Sequence, residues 1–367
     1  MIWIALAAAL AWGVMLFARG GFWRAADRDE PPAPDLRDWP AVTVIIPARD
    51  EAPTIAATVR SLRAQDYPAA LRVVVVDDRS SDGTGALARD AGAEVITGTG
   101  RAPGWTGKLY ALQQGLSAAQ PDTRYILFTD ADIVHAPDSV RRLVARAERD
   151  GLVLTSLMAK LRAVSGAERW FIPAFIYFFQ MLYPFRWSNA AGTRTAAAAG
   201  GCVLLRRDAF LAAGGLEPIR GRIIDDCALA ALMKRQGRIW LGLTDRVVSL
   251  RESPSMDPIR RMVARTAYAQ LGHSSLLLAG TVLGLALVFL APPMLAIFAR
   301  GPAQWLGAAA WAAMALSFVP MLRFYGLSAW RAAALPAVAA LYLAFTLDSA
   351  WQHHQGRGGM WKGEAAP

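Results

Sequence analysis

Carboxylates recur in this chain just after apolar runs, and the densest case is Tyr125–His135, YILFTDADIVH. The run Tyr125–Phe128 suits a buried strand, and Asp130 and Asp132 follow it two residues apart. In extended backbone, side chains at i and i+2 point the same way. Two carboxylates leaving a strand together make a hard-oxygen site of the kind Mg²⁺ or Mn²⁺ takes. Read blandly, the same stretch is a turn with two solvated aspartates. Glu51 follows the run Val42–Ile46, Asp78 follows Leu71–Val76, and Asp225-Asp226 open a helical pattern over Cys227–Arg235. A helix N-terminus favours the ionised form of such a pair.

The elements that must position these groups alternate. Strands are predicted at Val42–Ile46, Leu71–Val76, Glu94–Ile96 and Tyr125–Phe128, with helices at Thr54–Ala64, Gly83–Ala91, Gly107–Ala118 and about Asp138–Arg149. Short loops between alternating strands and helices argue for an α/β fold with a doubly wound, mostly parallel sheet. Ligands of such sheets sit outside the carboxyl ends of the strands, where the acids lie. No G-x-G-x-x-G follows the first strand, so a nucleotide here is not held as NAD is. Further along, Gly200-Gly201 and Gly214-Gly215 bracket a strand and a short helix, and paired glycines let backbone approach a ligand closely.

The chain has 367 residues, 54% of them hydrophobic, and a formal net charge of +10. That charge points to an anionic partner, either lipid or a phosphorylated substrate. No Lys/Arg run with interleaved aromatics is present, so no nucleic-acid partner is expected. Cys202 and Cys227 lack metal-type spacing and read as buried thiols.

Met1–Phe17 carries no charge, and Arg19 and Arg24 follow it. This order reads as an uncleaved anchor whose following chain stays cytoplasmic. The expected plan is an N-terminal membrane anchor at 1–19, a Pro-rich linker at 20–40 and a catalytic domain at 41–250. An amphipathic interface helix at 251–273, a transmembrane region at 274–351 and a tail at 352–367 complete it. Candidate spans are Ser274–Ala299, Gln304–Leu322 and Ala332–Trp351. Within the catalytic domain, Trp170–Trp187 (WFIPAFIYFFQMLYPFRW) is broken by Pro173, Gln180 and Pro184. It is expected to be interfacial or buried in protein without spanning. Along Pro258–Leu271, Ile259, Met262, Val263, Thr266 and Ala267 share one helical face, with Arg261 and Arg265 opposite.

The ordered series VTVIIPARDE (42–51), VVVVDDRSSDGT (73–84), GKLYALQQG (107–115), FTDAD (128–132), AGGCVLLRRDAFLAAGG (199–215) and IDDCAL (224–229) resembles family 2 glycosyltransferases of the GT-A fold. PGWTGKLYAL, the aromatic segment, AAAAGGC and IDDCALA resemble the bacterial hopene-associated subgroup. The resemblance implies donor contacts from Pro47, Glu51, Asp78, Lys108 and Asp130. It also implies a divalent Mn²⁺ or Mg²⁺ on Asp130 and Asp132, and Asp226 as general base. Gly200, Gly201, Asp225, Arg261 and Arg265 are candidates for the acceptor or diphosphate. The implied partners are a nucleotide-sugar donor, with a UDP-sugar as the expectation, and a lipid acceptor, a hopanoid by analogy, at the bacterial inner membrane. Two departures stand out. Asp50-Glu51 stands where the family commonly has Asn-Glu, and Met262–Thr266 keeps only Arg265 of the Q-x-x-R-W motif of processive synthases. A processive polysaccharide synthase and a non-enzymatic membrane scaffold or transport protein stay open as alternatives.

Overall fold

Val, Ile and Leu fill the strands because most of them are covered on both faces. In the computed structural model, which describes residues 1–29, 36–120 and 122–358, the chain forms two units. Part of the expected linker (30–35) and most of the tail (359–367) lie outside the described residues.

The sheet unit comprises residues 27–162 and 187–252. Its strands are β1 (Ala41–Ala48), β2 (Leu71–Asp77), β3 (Glu94–Thr97), β4 (Thr123–Thr129), β5 (Ile133–His135), β6 (Leu152–Lys160), β7 (Cys202–Arg206) and β8 (Arg238–Ser249). They form one sheet in the order β3-β2-β1-β4-β7-β6-β8-β5. β3, β2, β1 and β4 run parallel; β7 is antiparallel to both β4 and β6; β8 is parallel to β6; and β5 is antiparallel to β8. The doubly wound, mostly parallel expectation holds. The motif reading passes over β6 and β8, which carry no acid-after-strand signal. Alternate residues face opposite layers: Val44, Ile46, Val75 and Leu127 pack with Val59, Leu62 and Val144. Ile45, Val76, Ile126 and Phe128 pack with Leu109, Leu112 and Phe210.

This topology gathers the acids. β1, β2 and β4 end at the same edge and deliver Glu51, Asp78 and Asp130 there. β7 begins at that edge, because Cys202 pairs with Thr129, which brings Gly200-Gly201 alongside. Ser249, the last residue of β8, pairs with Ile133.

The other unit holds Met1–Ala26, Ala163–Arg186 and the described residues from Ser253 on. By length and composition, three of its helices can cross a membrane: Ser275–Phe298, Pro302–Phe324 and Ala329–His354. They match the expected spans. The apolar helix Ile2–Phe17 is shorter. Helix Ser275–Phe298 widens into a π turn at Ala286–Leu290, just before Pro292-Pro293. Pro292 has no N–H to give the Val288 carbonyl four residues back, and the Trp12 indole N–H donates to that carbonyl at 2.8 Å instead.

The aromatic stretch belongs to this unit and not to the sheet domain where the sequence reading put it. It forms a helix, Gly166–Leu182, opened by a Ser165/Glu168 capping box. Phe171 and Tyr177 are buried; the Tyr177 hydroxyl meets Ser317 Oγ at 2.7 Å, and the Tyr342 hydroxyl donates to the Phe171 carbonyl at 2.8 Å. These residues are therefore protein core of the apolar unit. Helix Met256–Gln270 buries Ile259, Val263, Ala264 and Tyr268. The expected face is thus rotated: Ala264 and Tyr268 take the inward places assigned to Met262 and Thr266. The cause is packing on helix Leu335–His354, where Ser349 Oγ accepts from the Tyr268 N–H and Asp348 pairs with Arg260. Arg261 and Arg265 stay exposed, as expected.

Helix Gly107–Gly115 seats directly on the sheet. A Cβ on Gly115 would stand 2.4 Å from Ile45 Cγ2 and 3.0 Å from Val76 Cγ2. Overpacking of this kind costs about 1–3 kcal/mol, so Gly115→Val is expected to lower the urea or thermal midpoint clearly. An unchanged midpoint would contradict the packing.

Candidate active site

The site is built from the loops at that sheet edge. After β1 the chain turns through Asp50, at φ 49°, a left-handed conformation that Asp and Asn tolerate best after glycine. Asp50 Oδ1 accepts from the Ser81 N–H at 2.8 Å, and the Glu51 N–H donates to Thr84 Oγ1 at 2.8 Å. The first two acid-bearing loops are thereby tied together. Pro47 sits within β1 opposite Val76, with its side chain buried. Asp78 is 2% exposed, with Arg49 Nη1 at 3.7 Å and Arg79 Nε at 3.8 Å. A Cβ on Gly98 would come within 3.1 Å of both the Asp77 carbonyl and Asp78 Cα, so a side chain there would press on the Asp78 backbone.

Lys108 lies in the first turn of its helix, which Thr106 caps by accepting from the Leu109 N–H. Its Nζ reaches Asp130 Oδ1 at 2.8 Å and Asp225 Oδ2 at 3.4 Å. Asp225 and Asp226 open helix Asp225–Lys234. Asp226 Oδ2 accepts from the Gly200 N–H at 3.1 Å, and its Oδ1 from the Cys227 N–H at 2.7 Å. A Cβ on Gly200 would stand 3.1 Å from Lys108 Nζ and 3.6 Å from Asp226 Oδ2, so glycine lets the backbone enter between them. The loop is fixed on both sides of this contact. Ser156 Oγ donates to the Cys202 carbonyl and accepts from the Ala199 N–H, each at 2.9 Å. Lys234 Nζ holds the Ser188 and Thr195 carbonyls at 2.7 and 2.6 Å.

The Asp130/Asp132 pair is not the strand-end pair of the sequence argument. β4 stops at Thr129, and Asp130–Ile133 is a turn in which the Ile133 N–H donates to the Asp130 carbonyl at 3.3 Å. The two carboxylates meet different partners. Asp130 faces Lys108, whereas the buried Asp132 accepts from Ser249 Oγ at 2.9 Å and Arg251 Nε at 3.1 Å, both on Oδ2. Arg251 Nη2 also donates to Glu51 Oε1 at 2.8 Å.

The electrostatics follow from burial and crowding. Burial, and then the charge of Asp225, push the Asp226 carboxyl up to about 6 against the pull of Lys108 and two N–H groups. Burial likewise raises Asp130, opposed by Lys108. Burial disfavours the Lys108 ammonium, but Asp130 and Asp225 outweigh it and hold Lys108 protonated. Arg251 is held charged in the same way by Asp132 and Glu51.

Among the described residues no group of three or more His, Cys, Asp or Glu side chains converges as an all-protein metal cage. Mg²⁺ sites are commonly made by one or two carboxylates with substrate phosphates. The hard-oxygen pair Asp130 and Asp132, each balanced here by a cationic side chain, fits that type of site.

The structure thus joins Lys108, Asp130, Asp225, Asp226 and Gly200 in one cluster, and Glu51 with Asp132 in a second. Gly201 serves the sheet, its carbonyl accepting from Thr129 Oγ1 at 2.7 Å. Arg261 and Arg265 lie in the other unit, on helix Met256–Gln270. Sequence reasoning misses Arg251, Arg49 and Arg79. Arg49 and Arg79 flank motifs already singled out, but Arg251 is 119 residues from Asp132 and no motif marks it.

Residues 43–212 match the family model described as glycosyl transferase family 2. The segment is a family 2 glycosyltransferase domain. The chain is 37% identical over 113 residues to 4,4'-diaponeurosporenoate glycosyltransferase of Staphylococcus aureus (strain MRSA252), a match covering 30% of this chain and 29% of the relative. It is 34% identical over 119 residues to the enzyme of that name from Staphylococcus haemolyticus, covering 31% of each. The matches thus span less than a third of these relatives' length. Among solved structures, the mannosyltransferase PcManGT from Pyrobaculum calidifontis, in complex with GDP-Man and Mn²⁺, aligns over 96% of this chain and 99% of its own. Its TM-score is 0.57 at 22% identity, which shows a shared fold, of the GT-A type.

A carboxyl with a raised folded pKa binds its proton in the native state before it does in the unfolded chain. Stability from Asp226 is therefore present at low pH and is lost as pH rises from about 4 to about 6. The melting-temperature difference between Asp226→Asn and wild type is expected to move in the variant's favour as pH goes from ~4.5 to ~7. A difference independent of pH would contradict the raised pKa.

Proposed function

We propose that this chain is a membrane-bound inverting glycosyltransferase that moves a sugar from a nucleotide-diphosphate donor, a UDP-sugar, to a lipid acceptor of the hopanoid class. The observation that carries the reading is the half-buried Asp226, with its raised pKa, held by the Gly200 N–H beside Lys108 and Asp130. A general base works best with a pKa near the working pH, and this carboxylate stands next to the groups suited to the donor's diphosphate. Apolar helices of spanning length in the same chain favour a lipid acceptor. The relatives' name, 4,4'-diaponeurosporenoate glycosyltransferase, favours a small acceptor over a growing polysaccharide.

In this reading Asp78, with Pro47 and Glu51, contacts the nucleoside. A divalent cation held by Asp130 and Asp132 would neutralise the diphosphate as it leaves. Lys108 adds fixed positive charge beside Asp130, which favours the charge that develops on the leaving group. Asp226 takes the proton from the acceptor hydroxyl as that oxygen attacks the anomeric carbon opposite the leaving group, so one displacement inverts the centre. Asp225 and Gly200 line the acceptor side. The sheet unit faces the cytoplasm at the bacterial inner membrane; a labelling probe at Asp122 reacting only from outside would refute that orientation.

The experiment is thin-layer analysis of lipids made by membranes with and without the protein, using a panel of radiolabelled nucleotide sugars. Addition of one sugar to a lipid, lost in chelator and restored by Mn²⁺ or Mg²⁺, is expected. Immobile polymer would favour a processive synthase, and no incorporation from any donor a non-enzymatic protein. Asp226→Asn is expected to keep donor affinity by calorimetry and to lose about 10²–10⁴-fold in kcat, with Asp225→Asn less affected. The reverse ranking would move the base to Asp225.

A further inference from the structure

Arg251 is the one cation that bridges the loop after β1 to the turn after β4, through Glu51 and Asp132, among the contacts described above. We propose that Arg251 is a positioning residue that competes with the divalent cation for Asp132, occupying the carboxylate before loading and releasing it when the cation binds, while keeping its hold on Glu51. The inference rests on the reading above that Asp130 and Asp132 hold that cation.

The asymmetry of the contact shows which partner moves. The Asp132 side chain is 9% exposed and fixed by Ser249, whereas the Arg251 side chain is 56% exposed. The Arg251 backbone is itself tied down: its N–H donates to Ser249 Oγ at 3.2 Å, and that hydroxyl donates to Asp132. Movement is therefore left to the exposed arginine side chain and not to its backbone or to Asp132. Ser249 and Arg251 both donate to Asp132 Oδ2, and a cation needs an oxygen lone pair at about 2.0–2.1 Å for Mg²⁺. A guanidinium donating to the same carboxylate would stand within a few ångströms of that ion, where like charges repel. The planar fork explains how release stays local. Nε serves Asp132 and Nη2 serves Glu51, so one contact can open while the other holds. Glu51 is anchored separately through its N–H to Thr84 Oγ1, and it keeps the freed guanidinium at the site.

The test is Mn²⁺ binding to the purified full chain in detergent, read by electron paramagnetic resonance of free Mn²⁺, with and without UDP. Arg251→Gln and Arg251→Met are compared with Arg251→Lys and wild type, and melting curves confirm folding of whichever neutral variant is used. The neutral variants are expected to bind Mn²⁺ about three- to tenfold tighter, the range set by losing a partly exposed ion pair and a repulsive neighbour. Arg251→Lys is expected to stay near wild type. Equal or weaker binding by the neutral variants, with wild type binding measurably, overturns the competition alone. No binding by any form, even with UDP, overturns the assignment of the cation to Asp130 and Asp132 and the competition with it.

Discussion

The site depends on one ammonium group. Lys108 joins three segments far apart in sequence: its own helix, the turn after β4 through Asp130, and the start of helix Asp225–Lys234 through Asp225. Without a cation between them, these carboxylates would repel one another in a partly dry setting. Solvent-screened ion pairs contribute little one by one, but here a single ammonium serves two carboxylates from different segments, so the three groups are positioned as a set. The same interaction explains why Asp226 differs from its neighbours. Lys108 makes its contacts with Asp130 and Asp225, and Asp226 is left with two backbone N–H groups and a raised pKa. Adjacent residues on a helix diverge by about 100°, so the two acids of the pair meet different surroundings although they share one turn.

The sheet makes this convergence possible by reversing one strand, β7, between β4 and β6. Parallel β1, β2 and β4 bring their ends to one edge, and antiparallel β7 begins there. The loop before β7 can therefore offer the Gly200 N–H to a helix that comes later in the chain. Glycine at 200 keeps this approach close, since a Cβ there would push the Lys108 ammonium by a few tenths of an ångström. The ten-residue helix Asp225–Lys234 works at both ends: its first turn holds Asp226, and Lys234 in its last turn gathers the carbonyls that shape the loop.

Much of this was legible in the sequence because local signals marked it. Apolar runs ending in acids gave β1, β2 and β4, and IDDCAL gave a helix start with its acids in the first turn. The geometry of Asp130 and Asp132 was not legible: the i and i+2 argument assumes extended backbone, and the chain turns there instead. Nor was the role of Arg251, whose partners are 119 and 200 residues away and whose flanking sequence resembles an ordinary strand exit. The aromatic segment leaves two readings open in the sequence for a related reason. Headgroup regions and protein cores select the same residues, and only the partners Ser317 and Tyr342 distinguish them. In the apolar unit, the consequence of Pro292 inside a span, a Val288 carbonyl taken up by Trp12, needed the fold.

The account's central claim is that Asp226 acts as base in a single displacement on the side opposite the leaving diphosphate. The most direct measurement is the anomeric configuration of the first glycosylated product, read from its proton coupling constants by nuclear magnetic resonance. A configuration opposite to that of the donor sugar is the result the account requires. Retention of the donor's configuration would contradict it, because retention needs a second displacement and a second group on the other face of the sugar.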